Sequence, residues 1–260
     1  MNIVHLTDLH FGNPDAVFDW RELATSLSEY LKNKVDNPVL IVSGDVTYKG
    51  AAKGYEEARK FFKLLLQNGV TSRNRILMCP GNHDIVGKSF NEFDSFTYSL
   101  RRDNNCFFSD NHINTALIDG CLFKLLNSSY HLDHEYGLID QKSLAKDKPD
   151  HKGLKIAITH HHLLNMFEND TSAIRNSYNL AEYLSSEGFK YVLHGHQHAE
   201  QNYYLGENAL RVISARSGNF GQKGFFNSVN IYRINKEEFT GEVLLLENSS
   251  SGIKFREMAL

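Results

Sequence analysis

The chain has 260 residues, 41% hydrophobic and 23% charged, enough to bury a substantial core in one domain or two. Its formal charge of −3, from 28 basic and 31 acidic residues, supplies no overall field for non-specific nucleic-acid binding. Three widely spaced cysteines make neither a disulfide framework nor a zinc motif and suit a reducing cytoplasm; no segment reads as a signal peptide or membrane span.

The first half alternates strands with helices. NIVHLT reads as a buried strand, FDWRELATSLSEYLKN sets Trp20, Leu23, Leu27, Tyr30 and Leu31 at helical spacing, and PVLIVS is a second strand. GYEEARKFFKLLLQNG is a helix with Tyr55, Ala58, Phe62 and Leu65 on one face, stopped by Gly69, and NRILMC is a third strand. This order implies parallel strands joined by crossover helices. KSFNEFDSFTYSLRRD is a further helix, followed by a polar stretch and the strand GCLFKLLNSS. GLKIAIT and FKYVLH are strands on either side of the helical YNLAEYLSSEG. Beyond Gly195, NYYL, ALRVIS, SVNIYRI, FTGEVLLLE and IKFREM read as consecutive strands with antiparallel-type connections. The expectation is one α/β domain over 1–260 with two packed mixed β-sheets flanked by helices, the strands of 200–258 completing the second sheet.

Ligands of open α/β sheets gather outside the carboxyl ends of the parallel strands. Five such ends carry metal-binding residue types. Asp8-Leu9-His10 has i, i+2 spacing, which puts both side chains on one face of an extended backbone. Gly44-Asp45, Asn82-His83-Asp84, His160-His161-His162 and Gly195-His196-Gln197-His198 follow in turn. Each alone is weak, because an Asp past a strand is usually a turn or cap residue and a lone His is usually structural. Their joint occurrence, each after an apolar run, points to one metal-binding edge.

The other histidines have blander readings. His5 lies inside the first strand and is expected to be a hydrogen-bonded core residue. His194 shares strand parity with His196 and His198 but precedes the glycine, so support or packing is expected rather than ligation. His161 is open between support and substrate contact. The register of the triple also leaves His160 or His161 as the ligand, with His160 preferred because it directly follows the strand. His112, His131, His134 and His151, with Arg101 and Arg102, read as solvated. Residues 85–119 and 163–175 are expected to form a rim that selects substrate.

The ordered series D-x-H, G-D, G-N-H-D, H and G-H-x-H, running from Asp8 to His198, resembles the calcineurin-like metallophosphoesterase superfamily. Its context (HLTDLHFG, CPGNHD, LLNSSY, ITHHHLL) is most like the class III cyclic-nucleotide phosphodiesterase branch. His162 and Leu163 stand where that branch often has prolines. The resemblance implies a four-layer α-β-β-α fold holding two divalent transition-metal ions, Mn, Fe or Zn. Asp8, His10, Asp45 and His198 would hold one, and Asp45, Asn82, His160 and His196 the other, with Asp45 bridging. Mixed nitrogen and oxygen donors suit these metals rather than Ca or Mg, and two cations about 3.5–4 Å apart need a shared carboxylate against their repulsion. The resemblance further implies hydrolysis of phosphodiester bonds in nucleotide-like substrates by a metal-bridging hydroxide. His83 would be the acid for the leaving oxygen, oriented by Asp84. Alternatives are a Mn-dependent DNA or RNA nuclease and a phosphomonoesterase or phosphoprotein phosphatase. Outside enzymes, the alternative is a partner-binding scaffold on the same fold.

Overall fold

The computed structural model describes residues 1–260 apart from 149, 208, 222, 223, 225, 236, 237 and 251. The chain begins β1 (Asn2–Leu6), α1 (Trp20–Lys34), β2 (Val39–Ser43), α2 (Ala52–Gln67), β3 (Ile76–Cys79), the alternation that the sequence implies. Asp19 starts α1 by accepting from the N–H groups of Arg21 (2.8 Å) and Glu22 (3.3 Å), donors that a helix start otherwise leaves open. Leu23, Ala24, Leu27 and Leu31 then form its buried face.

Next come α3 (Asn91–Arg101), β4 (Ile113–Ile118), β5 (Cys121–Leu126), α4 (Gln141–Lys146), β6 (Lys155–Ile158), α5 (Ser177–Ser186) and β7 (Tyr191–His194). The chain closes with β8 (Asn202–Leu205), β9 (Leu210–Ser214), β10 (Asn227–Asn235), β11 (Glu238–Ser249) and β12 (Gly252–Ala259). Two of these elements escape the sequence pattern. β4 is an edge strand, INTALI, with Thr115 and Leu117 exposed in alternation. α4 spans 6 residues and is marked only by Asp140, which accepts from the N–H groups of Lys142 and Ser143.

The strands make two six-stranded sheets, in the orders β12-β11-β10-β1-β2-β3 and β4-β5-β6-β7-β9-β8. β1, β2 and β3 are parallel, as are β5, β6, β7 and β9. Of the strands in 200–258, β8 and β9 do complete the second sheet, but β10, β11 and β12 extend the first. The reason lies in the edges. β8 lies antiparallel on β9 and ends that sheet, whereas β1 takes β10 alongside it, with Ile3 opposite Tyr232 and Val4 opposite Ile231. That apolar pairing continues the core.

Phe123, Leu125, Ile156, Ile158, Leu193 and Ile213 of the second sheet share one core with β1, β2 and β3. Their neighbours Leu122, Leu126, Ala157, Val192 and Val212 face the other way, onto Leu144 of α4 and Leu180 and Leu184 of α5. α1, α2 and α3 pack side by side against the first sheet. The layers are therefore helix, sheet, sheet, helix. Among the described residues, no helix is long and apolar enough to cross a membrane.

Candidate metal centre

Past the strand ends the backbone does not stay extended. Asp8 and His10 take left-handed φ values of 50° and 44°, as do Asp45 (50°), His196 (74°) and His198 (53°). The i, i+2 residues still converge, but through curled loops rather than strand geometry. Such conformations cost of order 1–3 kcal/mol per non-glycine residue, so neighbouring bonds must hold them. Asp8 N–H donates to Gly44 O and His10 N–H to Asp45 O, each at 3.0 Å, and Ser217 Oγ donates to Asp8 O at 2.6 Å. The motif glycines serve the same crowding: a Cβ on Gly81 would overlap Asp45 Oδ1, and one on Gly195 would overlap Thr7 Oγ1.

Two groups of donors meet across the sheets. In the first, His198 Nε2 lies 3.1 Å from both Asp8 Oδ1 and His10 Nε2. In the second, His160 Nε2 lies 3.1 Å from Asn82 Oδ1 and 3.1 Å from His196 Nδ1. Asp45 Oδ2 stands between them, 4.0 Å from His10 Nε2 and 3.4 Å from His160 Nε2. Asp8, His10 and His198, and likewise Asp8, Asp45 and His160, could each hold a metal ion. All seven expected ligands are thus brought together. His83 also falls within reach of His10 and Asp45 as a third such group.

The charges suit cations. Burial opposes ionisation of both aspartates, yet His198, His160 and His10 hold Asp8 well below the ordinary carboxylate range, and His160, His83 and His10 do so for Asp45. Burial pulls His10 down to about 4 and His196 to about 3, leaving both in the neutral form that ligates metals. Burial acts on His160 too, but Asp45 and then Asp8 outweigh it and raise the imidazole to about 9. Two carboxylates there call for positive charge, a proton or a metal ion. Ionised carboxylates, neutral imidazoles and an amide oxygen fit divalent transition ions.

His83 and Asp84 part company with the sequence reading. Asp84 is buried and accepts from the N–H groups of Gly81 (3.0 Å), Val46 (3.2 Å) and Thr47 (3.0 Å) and from Thr47 Oγ1 (3.2 Å). It pins the loop; the His83 ring is instead held by Lys49, whose N–H donates to Nδ1 at 3.2 Å. Burial, then the negative charge of Asp45, push Asp84 up to about 7, with those donors pulling the other way.

His5 is the expected core residue, bonded to Tyr232 OH (3.1 Å) and Ser43 Oγ (2.8 Å). His161 is buried with Nδ1 on Ser128 Oγ at 2.8 Å, one position beyond the donor group, while His194 Nδ1 meets Gly195 O at 3.1 Å. His134 is exposed as expected. His112 is not simply solvated, because it pairs with Asp140 Oδ2 at 2.8 Å; nor is His131, whose ring nitrogens are both buried. Arg101 is buried and reaches Asp103 and the carbonyl of Ile76, closing the end of α3. Within 85–119, α3 and Phe108 belong to the core rather than to a rim. Segment 163–175 does reach the site, through Asp170, which meets His162 Nε2 at 2.9 Å and accepts from Gln197 Nε2.

Sequence reasoning missed three contributors. Tyr48 lies 5.7 Å from the His83 ring and 6.3 Å from His10, and Phe220 lies 4.2 Å from His198. The loop after β5 brings Ser128 to His161. No local pattern marks Tyr48 or Phe220, whose partners are distant in sequence, and LLNSSY holds Ser128 without showing that it meets His161. A groove of about 750 Å³ lies elsewhere, between α5 and the β8–β9 turn, lined by Leu163, Tyr178, Ala181 and Leu205 without the donor set.

Two packed mixed sheets whose strand ends gather adjoining carboxylate and imidazole groups define the metallophosphoesterase class. Residues 1–200 match the sequence model of the calcineurin-like phosphoesterase family, and the chain belongs to that family. The uncharacterized metallophosphoesterase-like protein YydB of Bacillus subtilis (strain 168) is 28% identical over 87 residues, a stretch covering 33% of this chain and only 18% of that protein. A dimetal phosphatase from Danio rerio is similar over 100% of this chain and 98% of its own, with TM-score 0.66 and 9% identity. GAP50, the anchor in the inner membrane complex of Plasmodium, is similar over 100% and 88%, with TM-score 0.57 and 12% identity. A single-mutant Vps29 from Entamoeba histolytica is similar over 100% and 99%, with TM-score 0.50 and 12% identity. At these identities the likeness is one of fold.

Proposed function

We propose that this chain hydrolyses phosphodiester bonds in nucleotide-like substrates with two divalent transition-metal ions. Asp8, His10, Asp45 and His198 would hold one ion and Asp45, Asn82, His160 and His196 the other. The observation that carries the reading is Asp45 Oδ2, which faces both His10 Nε2 (4.0 Å) and His160 Nε2 (3.4 Å). When bound, such ions supply an activated water and neutralise charge on phosphoryl oxygens.

The chain's own residues do the rest. Lys49 N–H donates to His83 Nδ1, which fixes the ring and leaves Nε2 as the edge that would meet the leaving oxygen. Asp84 keeps the loop of His83 in place. Tyr48 offers an aromatic face beside the donors, which suits a planar base. The context HLTDLHFG, CPGNHD and ITHHHLL resembles the class III cyclic-nucleotide branch, which supports a nucleotide-like substrate. The diester is favoured because a monoester dianion calls for more cationic contacts than this donor set brings. The three free, buried cysteines fit a reducing, cytoplasmic setting.

A panel of Mn²⁺-loaded assays tests the reading. Bis(4-nitrophenyl) phosphate should be hydrolysed faster than 4-nitrophenyl phosphate, with cyclic nucleotides and single- and double-stranded DNA alongside. Turnover of the monoester alone would move the chain to the phosphatases, and cleavage of DNA to the nucleases. Binding of two ions with no turnover of any ester would favour a scaffold.

A further inference from the structure

The loop after β5 (128–138) and the segment 172–175 form a wall beside the second donor group. Arg175 N–H donates to Gly137 O and Ile174 N–H to His162 O, both at 2.9 Å. Three contacts seat this wall on the metal-binding edge. Ser128 Oγ meets His161 Nδ1 at 2.8 Å, the Gly137 backbone lies against the His161 side chain, and Asn82 Nδ2 donates to His134 O at 3.2 Å. The His161 ring itself is 4.3 Å from that of His196.

Side chains stack on this wall. His131 lies on Tyr136 with ring centres 4.7 Å apart, and the Arg175 guanidinium sits 3.3 Å from the Tyr136 ring centre. Arg175 is exposed, and among the described residues its guanidinium meets no carboxylate. Asp170, nearby in the chain, is engaged by Ser172, His162 and Gln197. His161 Nε2 is buried without a hydrogen-bond partner among the described residues, and the buried His131 ring is bonded only weakly, to the Tyr136 backbone. A guanidinium laid flat on an aromatic ring keeps its N–H edge for two oxygens of one oxyanion.

We propose that Arg175, held on Tyr136 beside His131, receives a second phosphate group of the substrate. The preferred substrates are then nucleotide esters with two phosphates, one at the metal centre and one on Arg175. This rests on the phosphoesterase reading above, and it adds a substrate class that the ligand motifs do not specify.

Calorimetric titration of the Mn²⁺-loaded protein with AMP, α,β-methylene-ADP and adenosine 3′,5′-bisphosphate tests it. At least one two-phosphate ligand should bind tighter than AMP by about 10- to 100-fold, the worth of hydrogen bonds to a charged group. Whether the adjacent or the remote second phosphate gives the margin reports its spacing from the first. Arg175→Ala should erase that margin, Arg175→Lys should restore only part of it, and Tyr136→Leu should shrink it by loosening the guanidinium. Equal binding of all three ligands by the natural protein, or a margin that survives Arg175→Ala, would overturn the proposal and mark the stack as packing alone. Bis(4-nitrophenyl) phosphate turnover, measured alongside, addresses the phosphoesterase reading separately. Its absence with the margin intact would strike that reading and leave the Arg175 subsite standing.

Discussion

On the first-sheet side of the metal-binding edge, the loops bond most of their own polar groups, His10 Nδ1 excepted. Asp84 takes bonds from Gly81, Val46 and Thr47, Tyr55 OH donates to its carbonyl at 3.1 Å, and His83 Nδ1 is occupied by Lys49. On the second-sheet side, Nε2 of His161 and Nδ1 of His162 are buried without partners among the described residues. An unsatisfied buried polar group costs about 1–3 kcal/mol. The first flank is thus the more fully bonded frame, whereas the second keeps more polar capacity in reserve. The difference suggests a division of labour, with bond cleavage set by one flank and ligand recognition by the other.

The largest expected effect removes the residue that both flanks share. Asp45→Asn should lower Mn²⁺ occupancy at both groups and cut diester turnover by more than about 10²-fold, since even partners behind the ligands are worth 10–100-fold. Elemental analysis and turnover check it together; full occupancy with full activity would remove Asp45 from the bridging position.

The sharpest contrast between the flanks comes from His83→Ala. General-acid help is worth about 10²–10⁴-fold, and it matters most for a basic leaving group. Hydrolysis of a nucleoside ester should fall far more than that of a nitrophenyl ester, with metal content unchanged. Substitutions at Arg175 should ignore the leaving group and follow the ligand's phosphate count. Equal losses on both esters in His83→Ala would assign that residue to charge stabilisation or loop packing.

Smaller effects probe the frame itself. Gly195→Ala forces a Cβ onto Thr7 and should cost about 1–3 kcal/mol, read from the urea midpoint, because overpacking displaces neighbours that the donors need. Ser128→Ala should cost about 1 kcal/mol by leaving His161 Nδ1 unpaired. A loss as large as that of Gly195→Ala would mean that the second flank is as tightly framed as the first.

Much of this edge was legible locally. NIVHLT, PVLIVS and NRILMC are mostly apolar because their strands are buried on both faces, and the polar residues that follow must lie where the core stops. That logic reaches Asp8, Asp45, Asn82, His160, His196 and His198 without coordinates. It also separates His5, inside a strand, from the histidines past strand ends. Tertiary structure alone decided the rest. β10, β11 and β12 joined the first sheet because β1 had an edge to offer, a fact absent from their own sequence. The left-handed turns at Asp8 and His10 depend on bonds from the β2 loop, and the grip on His83 comes from Lys49 rather than its neighbour Asp84. Arg175 and Tyr136 meet only because two loops from different strands of the second sheet pass side by side. Burial is recorded in the type of each residue, but pairing is a property of two distant ones, and a single chain read in order carries no mark of which two will meet.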